Sequence, residues 1–183
     1  MSCMSIGGEW FEPTRSLRVA CLRGVLAVLL AILLAPAASA ADWTFEDGRV
    51  PIAYVDNGAA QFQFACRGGD FAMGFWVRAP HRQVAGAASM NLAITPDPAE
   101  GADKSSMAGA SFAQDIPLIH SGGTSMIVRG PVARQWARIA QRAASTIRIA
   151  FVRKGNTVEV FDSNDFGAKG SSAAVKKILD RCG

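Results

Sequence analysis

The chain of 183 residues carries 19 lysines and arginines against 15 aspartates and glutamates, a formal net charge of +4. This small excess is spread along the chain, so we do not expect a nucleic-acid partner, which requires a concentrated basic face. The two histidines and four cysteines form no motif with metal-ligand spacing. The sequence therefore predicts no metal site and no other cofactor.

The N-terminal 40 residues have the pattern of a secretory signal peptide. Several arginines precede an uninterrupted apolar run from Val25 to Ala35, and small residues then continue to Ala40. The run is well short of the about 20 apolar residues that a membrane-spanning helix needs. We therefore expect Sec-type export with cleavage after Ala40 and a periplasmic or secreted domain over residues 41–183. It would have no transmembrane segment after cleavage. The alternative is an uncleaved membrane anchor.

Apolar and polar residues alternate in many short runs after residue 41, which is typical of strands with one buried face. Phe62, Phe64 and Cys66 share one face of such a run. A second run, residues 71–77, follows a Gly-Gly turn, so the two runs predict a β-hairpin. Trp76 points away from the apolar face of that hairpin, where it marks either a second buried face or a contact surface.

Two later features interrupt this pattern. Pro117 lies in the apolar run 116–119 and predicts an edge strand, because proline cannot donate to a strand ladder. The segment 95–109 is polar and rich in proline and glycine. We expect it to be an exposed, mobile loop and a candidate functional segment.

Two amphipathic helices are predicted. Gly130-Pro131 begins the first, since proline is favoured in a first helical turn. The second lies at the C-terminus, with Ser171 or Ser172 as its N-cap. The predicted apolar faces comprise Val132, Trp136, Ile139, Ala140 and Ala143 in the first helix, and Val175, Ile178, Leu179 and Cys182 in the second.

About eight short strands and two helices that do not alternate regularly favour an α+β domain. We predict a single domain over residues 41–183, a mostly antiparallel sheet or sandwich with the helices packed on it. Cys66 and Cys182 are its only cysteines. An even number in an oxidising compartment predicts a disulfide between the strand and the C-terminal helix. The alternative is two separate buried thiols.

Arg134, Arg138 and Arg142 form a stripe on the face of the first helix opposite its apolar side chains. Like charges one turn apart repel each other unless they are paired. The stripe is therefore either a solvated face or a site for an anionic partner such as lipid, lipopolysaccharide or an acidic protein.

His81 and His120 are the only candidates for acid–base catalysis, and each lies next to a predicted loop. No nucleophile motif or phosphate-binding loop accompanies them. We therefore favour a non-enzymatic periplasmic or secreted envelope protein that binds a protein or another envelope component. The alternatives are a hydrolase-like periplasmic enzyme using His81 or His120, and an anionic lipid or lipopolysaccharide binder using Arg134, Arg138 and Arg142.

The arrangement of Trp43, Cys66 and Gly170-Ser171-Ser172-Ala173-Ala174 through Cys182 resembles that of small exported proteobacterial proteins of unknown function. Residues 137–179 also resemble the invasion-associated locus B family, in which a strand hairpin leads into a Gly-x-x-Ala-Ala helix. The early Trp-x-x-x-Cys pattern of that family is absent here. The resemblance implies a β-rich envelope protein without known catalysis.

Overall fold

The structure, a computed structural model, describes residues 41–155 and 157–182. The predicted signal peptide, residues 1–40, lies outside the described residues. The strands are β1 (Thr44–Glu46), β2 (Ile52–Asp56), β3 (Ala60–Arg67), β4 (Asp70–Val77), β5 (Ser89–Pro96), β6 (Ser111–His120), β7 (Thr124–Arg129), β8 (Thr146–Lys154) and β9 (Val158–Gly167). The helices are α1 (Arg82–Ala85), α2 (Gly130–Arg142) and α3 (Ser171–Arg181).

The strands form one antiparallel sheet in the order β1-β2-β3-β4-β7-β6-β5-β8-β9. The predicted α+β class and antiparallel pairing are therefore confirmed, whereas the predicted numbers of strands and helices are each one too low. The additional helix is α1, a single turn within a predicted loop. We call β1, β2, β3, β4 and β7 half-sheet I, and β5, β8 and β9 half-sheet II. Strand β6 joins the two.

Two residues allow β6 to change partner along its length. Asp115 has a φ of 50° and forms a bulge against β5, where its N–H donates to the Asn91 side chain at 3.0 Å. Pro117 is the last position that pairs with β5, and Leu118 is the first that pairs with β7. The prediction of an edge strand is wrong. Because proline has no N–H, it is tolerated in an interior strand at the point where the ladder changes partner.

The curled sheet brings the inner faces of the two half-sheets into contact. Phe75 of half-sheet I lies 5.1 Å from Phe151 of half-sheet II, and Phe62 lies 5.8 Å from Phe166, measured between ring centroids. All four rings are almost completely buried. Burial of each contributes on the order of 1.5–3 kcal/mol, so this aromatic contact is a major part of the core.

Helix α3 packs against β1, β2 and β3, and α2 packs against α3, β4 and β7. Val175 and Ile178 of α3 are buried, as its apolar pattern predicted. Cys182 follows this helix and forms a disulfide with Cys66 of β3, so the predicted pairing is confirmed. In the chain-entropy model, the long loop that this bond closes corresponds to about 4–5 kcal/mol of stabilisation.

The N-cap of α3 differs from the prediction of Ser171 or Ser172. Gly170 occupies the N-cap with a φ of 83°. A Cβ atom at this position would lie 3.3 Å from the backbone oxygen of Trp43, so both the conformation and the contact favour glycine. Ser171 is buried instead, and its hydroxyl has no hydrogen-bond partner among the described residues.

The buried face of α2 is rotated relative to the predicted one. Trp136 and Ala140 are buried as expected, but Val132 is 36% exposed. Ala133 and Ala137 take its place in the core. These small side chains allow the helix to approach the sheet closely, and Trp136 supplies the bulk that fills the remaining space.

Candidate binding surface

The outward side chains of half-sheet I form a depression of about 620 Å³, which we call the outer groove. Strands β3, β4 and β7 alternate, so their large apolar residues point into the core and the intervening residues point outward. The groove is lined by Val50, Gln63, Ala65, Arg67, Gly68, Asp70, Ala72, Gly74, Ile127 and Arg129.

The floor of the outer groove consists of small residues at paired positions. Ala65 lies opposite Ala72, and Gln63 lies opposite Gly74. A Cβ atom on Gly74 would lie only 3.1 Å from Nε2 of Gln63. The depression therefore exists because Ala65 and Ala72 carry only a methyl group, while Gly74 allows the Gln63 side chain to lie flat against the sheet.

One end of the outer groove carries two arginines. In the strand register, Arg129 of β7 lies opposite Ala72 of the floor, and Arg67 of β3 lies opposite Asp70 of β4. Within residues 41–155 and 157–182, neither arginine forms an ion pair. Asp70 is the single carboxylate among the lining residues of the groove. The arrangement offers two guanidinium groups to a ligand beside an apolar floor.

Apolar side chains form the rim. Ile127 is 38% exposed and Ile119, which follows on the neighbouring strand β6, is 48% exposed. Trp76 also lies on this outer face, as its position in the hairpin predicted, and is half-buried. The guanidinium of Arg78 lies 4.7 Å from the centre of its ring. Arg78 also pairs with Asp56, and this hydrogen bond lowers the pKa of the Asp56 carboxyl group.

The outer face of half-sheet II is covered, in contrast, by the segment 97–110. Met107 and Ala110 from this segment pack on Ala150 and Val152 of β8, which form a second buried apolar cluster with other residues of the sheet. The expectation that residues 95–109 form an exposed loop is therefore wrong at Thr95 and Pro96, which belong to β5, and at Met107, which packs on the sheet. Phe112, Val158 and Val160 of the neighbouring strands β6 and β9 complete this cluster.

A buried arginine connects the covering segment to half-sheet II. Arg148 is only 5% exposed. Its Nε and Nη2 donate to the two carboxylate oxygens of Asp165 at 2.7 and 3.1 Å, and its Nη1 donates to the Asp103 backbone oxygen at 3.0 Å. The hydrogen bond to Asp165 raises the pKa of Arg148. All three interactions stabilise the charged form of a side chain that would otherwise be costly to bury.

The start of the covering segment is fixed by Asp97. Its carboxylate accepts backbone N–H groups of Ala144, Ser145 and Thr146 at 2.7 to 3.1 Å, and also the Ser145 hydroxyl. These hydrogen bonds, led by the one from Ala144, lower the pKa of Asp97 to about 2. The side chain thus joins the segment to the turn between α2 and β8.

The three arginines of the predicted stripe have different environments in the structure. Arg134 is half-buried, and its Nη2 donates to the backbone oxygen of Cys182 at 2.5 Å, so it stabilises the C-terminal end of α3. Its guanidinium also lies 5.3 Å from the centre of the Phe71 ring. Arg138 and Arg142 are exposed. The Nε of Arg142 donates to the Arg138 backbone oxygen at 3.1 Å, which leaves its terminal Nη groups and the whole guanidinium of Arg138 available to a partner.

His81 has a structural role at the start of α1. Its ring Nδ1 accepts the N–H of Gln83 at 3.3 Å, which is the N-cap interaction of this short helix. The Asp162 carboxylate accepts the backbone N–H of His81 at 2.6 Å. This carboxylate contacts the backbone of the histidine, so it does not orient the imidazole as a catalytic carboxylate would.

Both ring nitrogens of His120 also contact other residues. Nε2 lies 2.9 Å from the Ala87 backbone oxygen, and Nδ1 lies 3.0 Å from the Thr124 hydroxyl. Because a carbonyl oxygen only accepts, we infer that Nε2 carries the proton and Nδ1 accepts from Thr124. In the part of the chain that the structure describes, neither histidine ring pairs with a carboxylate.

No group of three or more His, Cys, Asp or Glu side chains that could hold a metal ion occurs among the described residues. Similarly, no helix within residues 41–155 and 157–182 is long and apolar enough to span a membrane.

The sequence identified none of the residues that form the outer groove as a site. Trp76 gave the one signal, since a tryptophan on the polar face of a hairpin indicates a contact surface. The pairing of β4 with β7, which brings Ile127 and Arg129 beside Ala72 and Gly74, is a long-range contact that no local pattern predicts.

No protein-family model matches the chain, and no curated protein matches it. Among solved structures, the chain is similar to the crystal structure of invasion associated protein B from Bartonella henselae. The TM-score is 0.49 at 8% sequence identity, over 78% of this chain and 95% of the other. The sequence pattern of residues 137–179 predicted a resemblance to the invasion-associated locus B family. At this level of similarity, membership of that family stays a prediction, and no function is transferred.

Proposed function

We propose that this chain is a non-enzymatic binding domain of the periplasm or cell exterior, and that the outer groove is its ligand site. The observation that carries the proposal is the exposure of Ile119 and Ile127 beside the groove. A group of exposed apolar residues on one face, bordered by polar side chains, is typical of an interaction site. The outer face of half-sheet II is instead covered by part of the same chain.

The roles of the histidines support binding rather than catalysis. His81 caps α1, and His120 joins β6 to Ala87 and Thr124. Each histidine therefore has a structural reason for its position. The groove itself offers guanidinium, amide and apolar groups, which are suited to recognition.

The disulfide supports the proposed location. Cys66 and Cys182 are 5% and 4% exposed, and their bond connects the sheet to α3. Structural disulfides of this kind are typical of periplasmic and extracellular proteins, whereas cytosolic thiols are usually reduced. The predicted signal peptide and this disulfide therefore favour the same compartment.

Site-specific photo-crosslinking tests the proposed site in the exported protein. A photoreactive amino acid at Ile127 would form discrete adducts in a bacterial periplasm, whereas the same substitution at Gln114, exposed on β6, would not. A Gly74→Phe change, which fills the groove, would suppress the adducts from position 127. Equal adducts at both positions, or none at 127, would contradict the proposal.

A second candidate function is binding of anionic lipid or lipopolysaccharide by α2. The exposure of Arg138 and Arg142, one turn apart on one helix, favours it. Binding to vesicles that contain phosphatidylglycerol would then weaken with salt and be lost in Arg138→Gln/Arg142→Gln. Binding that is independent of salt, or unchanged in this variant, would exclude the helix as a lipid site.

A further inference from the structure

We infer that the occupant of the outer groove is an acidic peptide segment of a partner protein, in which a carboxylate lies next to an apolar side chain. This inference rests on the proposed function, because it names the ligand of the same site. Three properties of the groove lead to it: its two arginines, its small apolar floor and the glutamine side chains beside that floor.

The arginines define the charge of the ligand. Arg67 and Arg129 both line one end of the groove. Asp70 lies opposite Arg67 in the strand register, but within the described residues neither arginine forms an ion pair, so two guanidinium groups outnumber the one carboxylate of the lining. The planar guanidinium group binds carboxylates with two parallel hydrogen bonds, and such charge-assisted bonds are stronger than neutral ones. A ligand that bears a carboxylate complements this end of the groove.

The floor defines the apolar part of the ligand. Ala65, Ala72 and Gly74 lie at neighbouring paired positions, with Ile127 beside them. Because outward positions along a strand are about 6.6 Å apart, this floor accommodates roughly one or two side chains rather than an extended hydrocarbon. An apolar side chain of a peptide fits beside Ile127, while a neighbouring acidic side chain reaches the arginines.

The glutamines suit a peptide backbone. Gln63 lines the groove, and Gln61 lies on the same outer face of β3. Each amide side chain can both donate and accept a hydrogen bond, as a peptide group can. A peptide that lies across the outward residues of β3 and β4 therefore finds partners for its N–H and C=O groups as well as for its side chains.

Other classes of ligand fit less well. The groove is an open depression on a sheet surface, so it does not enclose an acyl chain. Saccharides bind by stacking on free aromatic faces, but no aromatic side chain is among the lining residues of the groove, and the Arg78 guanidinium lies over the ring of the nearby Trp76.

Selection from a library of short random peptides, with the oxidised protein as bait, tests the inference. We expect the selected peptides to combine aspartate or glutamate with an apolar neighbour. In anisotropy titrations, their affinity would fall at least about tenfold in Arg67→Gln/Arg129→Gln, since charge-assisted hydrogen bonds are lost. The matched variant Arg82→Gln/Lys104→Gln, at two exposed positions outside the groove, would change it by less than about twofold.

A third variant, Gly74→Val, separates failure of the ligand class from failure of the site. Suppose that Gly74→Val abolishes binding of the selected peptides, but that these peptides are not acidic or bind Arg67→Gln/Arg129→Gln normally. The groove is then the binding site, and its ligand is not an acidic peptide. Selected peptides that neither set of groove variants weakens overturn both the inference and the proposed site. If vesicles containing phosphatidylglycerol bind the wild type but not Arg67→Gln/Arg129→Gln, the ligand of the groove is an anionic lipid and the peptide inference is wrong. Thermal unfolding confirms that each variant is folded.

Discussion

The two outer faces of the curled sheet differ in whether the chain itself covers them. On half-sheet II, part of the chain itself covers the strands, and Met107 packs on Ala150 and Val152. On half-sheet I, the corresponding face is open, and Ile127 is left 38% exposed. One outer face of the same sheet therefore contributes to the apolar core, whereas the other is open to solvent, and the covering segment makes the difference.

The arginines on the two faces show the same difference. Arg148 lies on the covered face, where Asp165 and the backbone of Asp103 satisfy its guanidinium. Arg67 and Arg129 lie on the open face and form no ion pair within the described residues. Removing one partner of the buried pair would leave the other uncompensated, whereas an exposed arginine without an ion pair keeps its guanidinium available to a partner.

Replacing Arg148 should have the largest effect of the changes considered. Arg148→Met removes the partner of Asp165, whose side chain is one-third exposed, and releases the covering segment at Asp103. We expect the free energy of unfolding to fall by about 2–4 kcal/mol, the lower part of this range reflecting the access of water to Asp165. Urea denaturation with the disulfide intact measures this change.

The control for Arg148→Met is Arg67→Met, on the open face. Because exposed charges contribute little to stability, Arg67→Met should alter the free energy of unfolding by less than about 0.5 kcal/mol. Equal losses for the two variants would show that the open face is as important to the fold as the covered one.

Asp97→Asn should weaken the attachment of the covering segment. The carboxylate accepts four hydrogen bonds from residues 144–146, but it is exposed, so we expect a loss of only about 1 kcal/mol at neutral pH. The folded pKa of about 2 is below the ordinary value of 3.8. The contribution of the Asp97 carboxylate to stability is therefore fully present above the unfolded pKa of 3.8 and is lost as the pH falls through the folded pKa of about 2.

The measurement is the difference in unfolding free energy between the wild type and Asp97→Asn, determined in urea from pH 7 down to pH 2. This difference should be constant near neutrality and shrink below about pH 4. Glu100→Gln, a change of the same kind within the same segment, serves as the control. A difference that persists unchanged at pH 2 would show that the charge of Asp97 is not what holds the segment.

The inner face of the sheet could be predicted from the sequence, but the outer faces could not. Strict alternation identified Phe62, Phe64 and Cys66 as one buried face, and helical spacing placed Cys182 on the buried side of α3. These are local patterns with a fixed period. The disulfide followed from them together with the number of cysteines.

The outer faces depend on contacts between distant parts of the chain. Arg129 belongs to the outer groove because β7 pairs with β4, and Met107 covers β8 because its segment crosses half-sheet II. Arg134 was expected to be a surface charge, but the end of α3 lies beside it and accepts its hydrogen bond. No sequence periodicity encodes contacts between such distant residues, so the candidate site could not be predicted from the sequence alone.

Gly74→Ala should affect binding much more than stability. The added methyl group would lie 3.1 to 3.2 Å from atoms of the Gln63 side chain, which must move to accommodate it. The cost is offset by the gain from replacing glycine within a strand, so we expect a net change below about 1 kcal/mol. Gly48→Ala, in an open turn outside the groove, is the matched control. A selected peptide should bind Gly74→Ala more weakly and Gly48→Ala normally.

The smallest expected effect on stability is that of Ile127→Ser, because the isoleucine is already partly in water. We expect a change within about 0.5 kcal/mol, whereas Val128→Ala, on the buried side of the same strand, should cost about 1–2.5 kcal/mol. Urea denaturation of both variants measures the difference between the two sides of β7.

The binding measurement should show the reverse order, with peptide affinity lost in Ile127→Ser and retained in Val128→Ala. A large loss of stability in Ile127→Ser would mean that the outer face of half-sheet I contributes to the core and is not a free surface. If Ile127→Ser weakens only peptide binding and Val128→Ala weakens only stability, the outward face of β7 serves binding and its inward face serves the fold. This result would also show that β7 carries a large apolar side chain at a position where the fold itself does not need it.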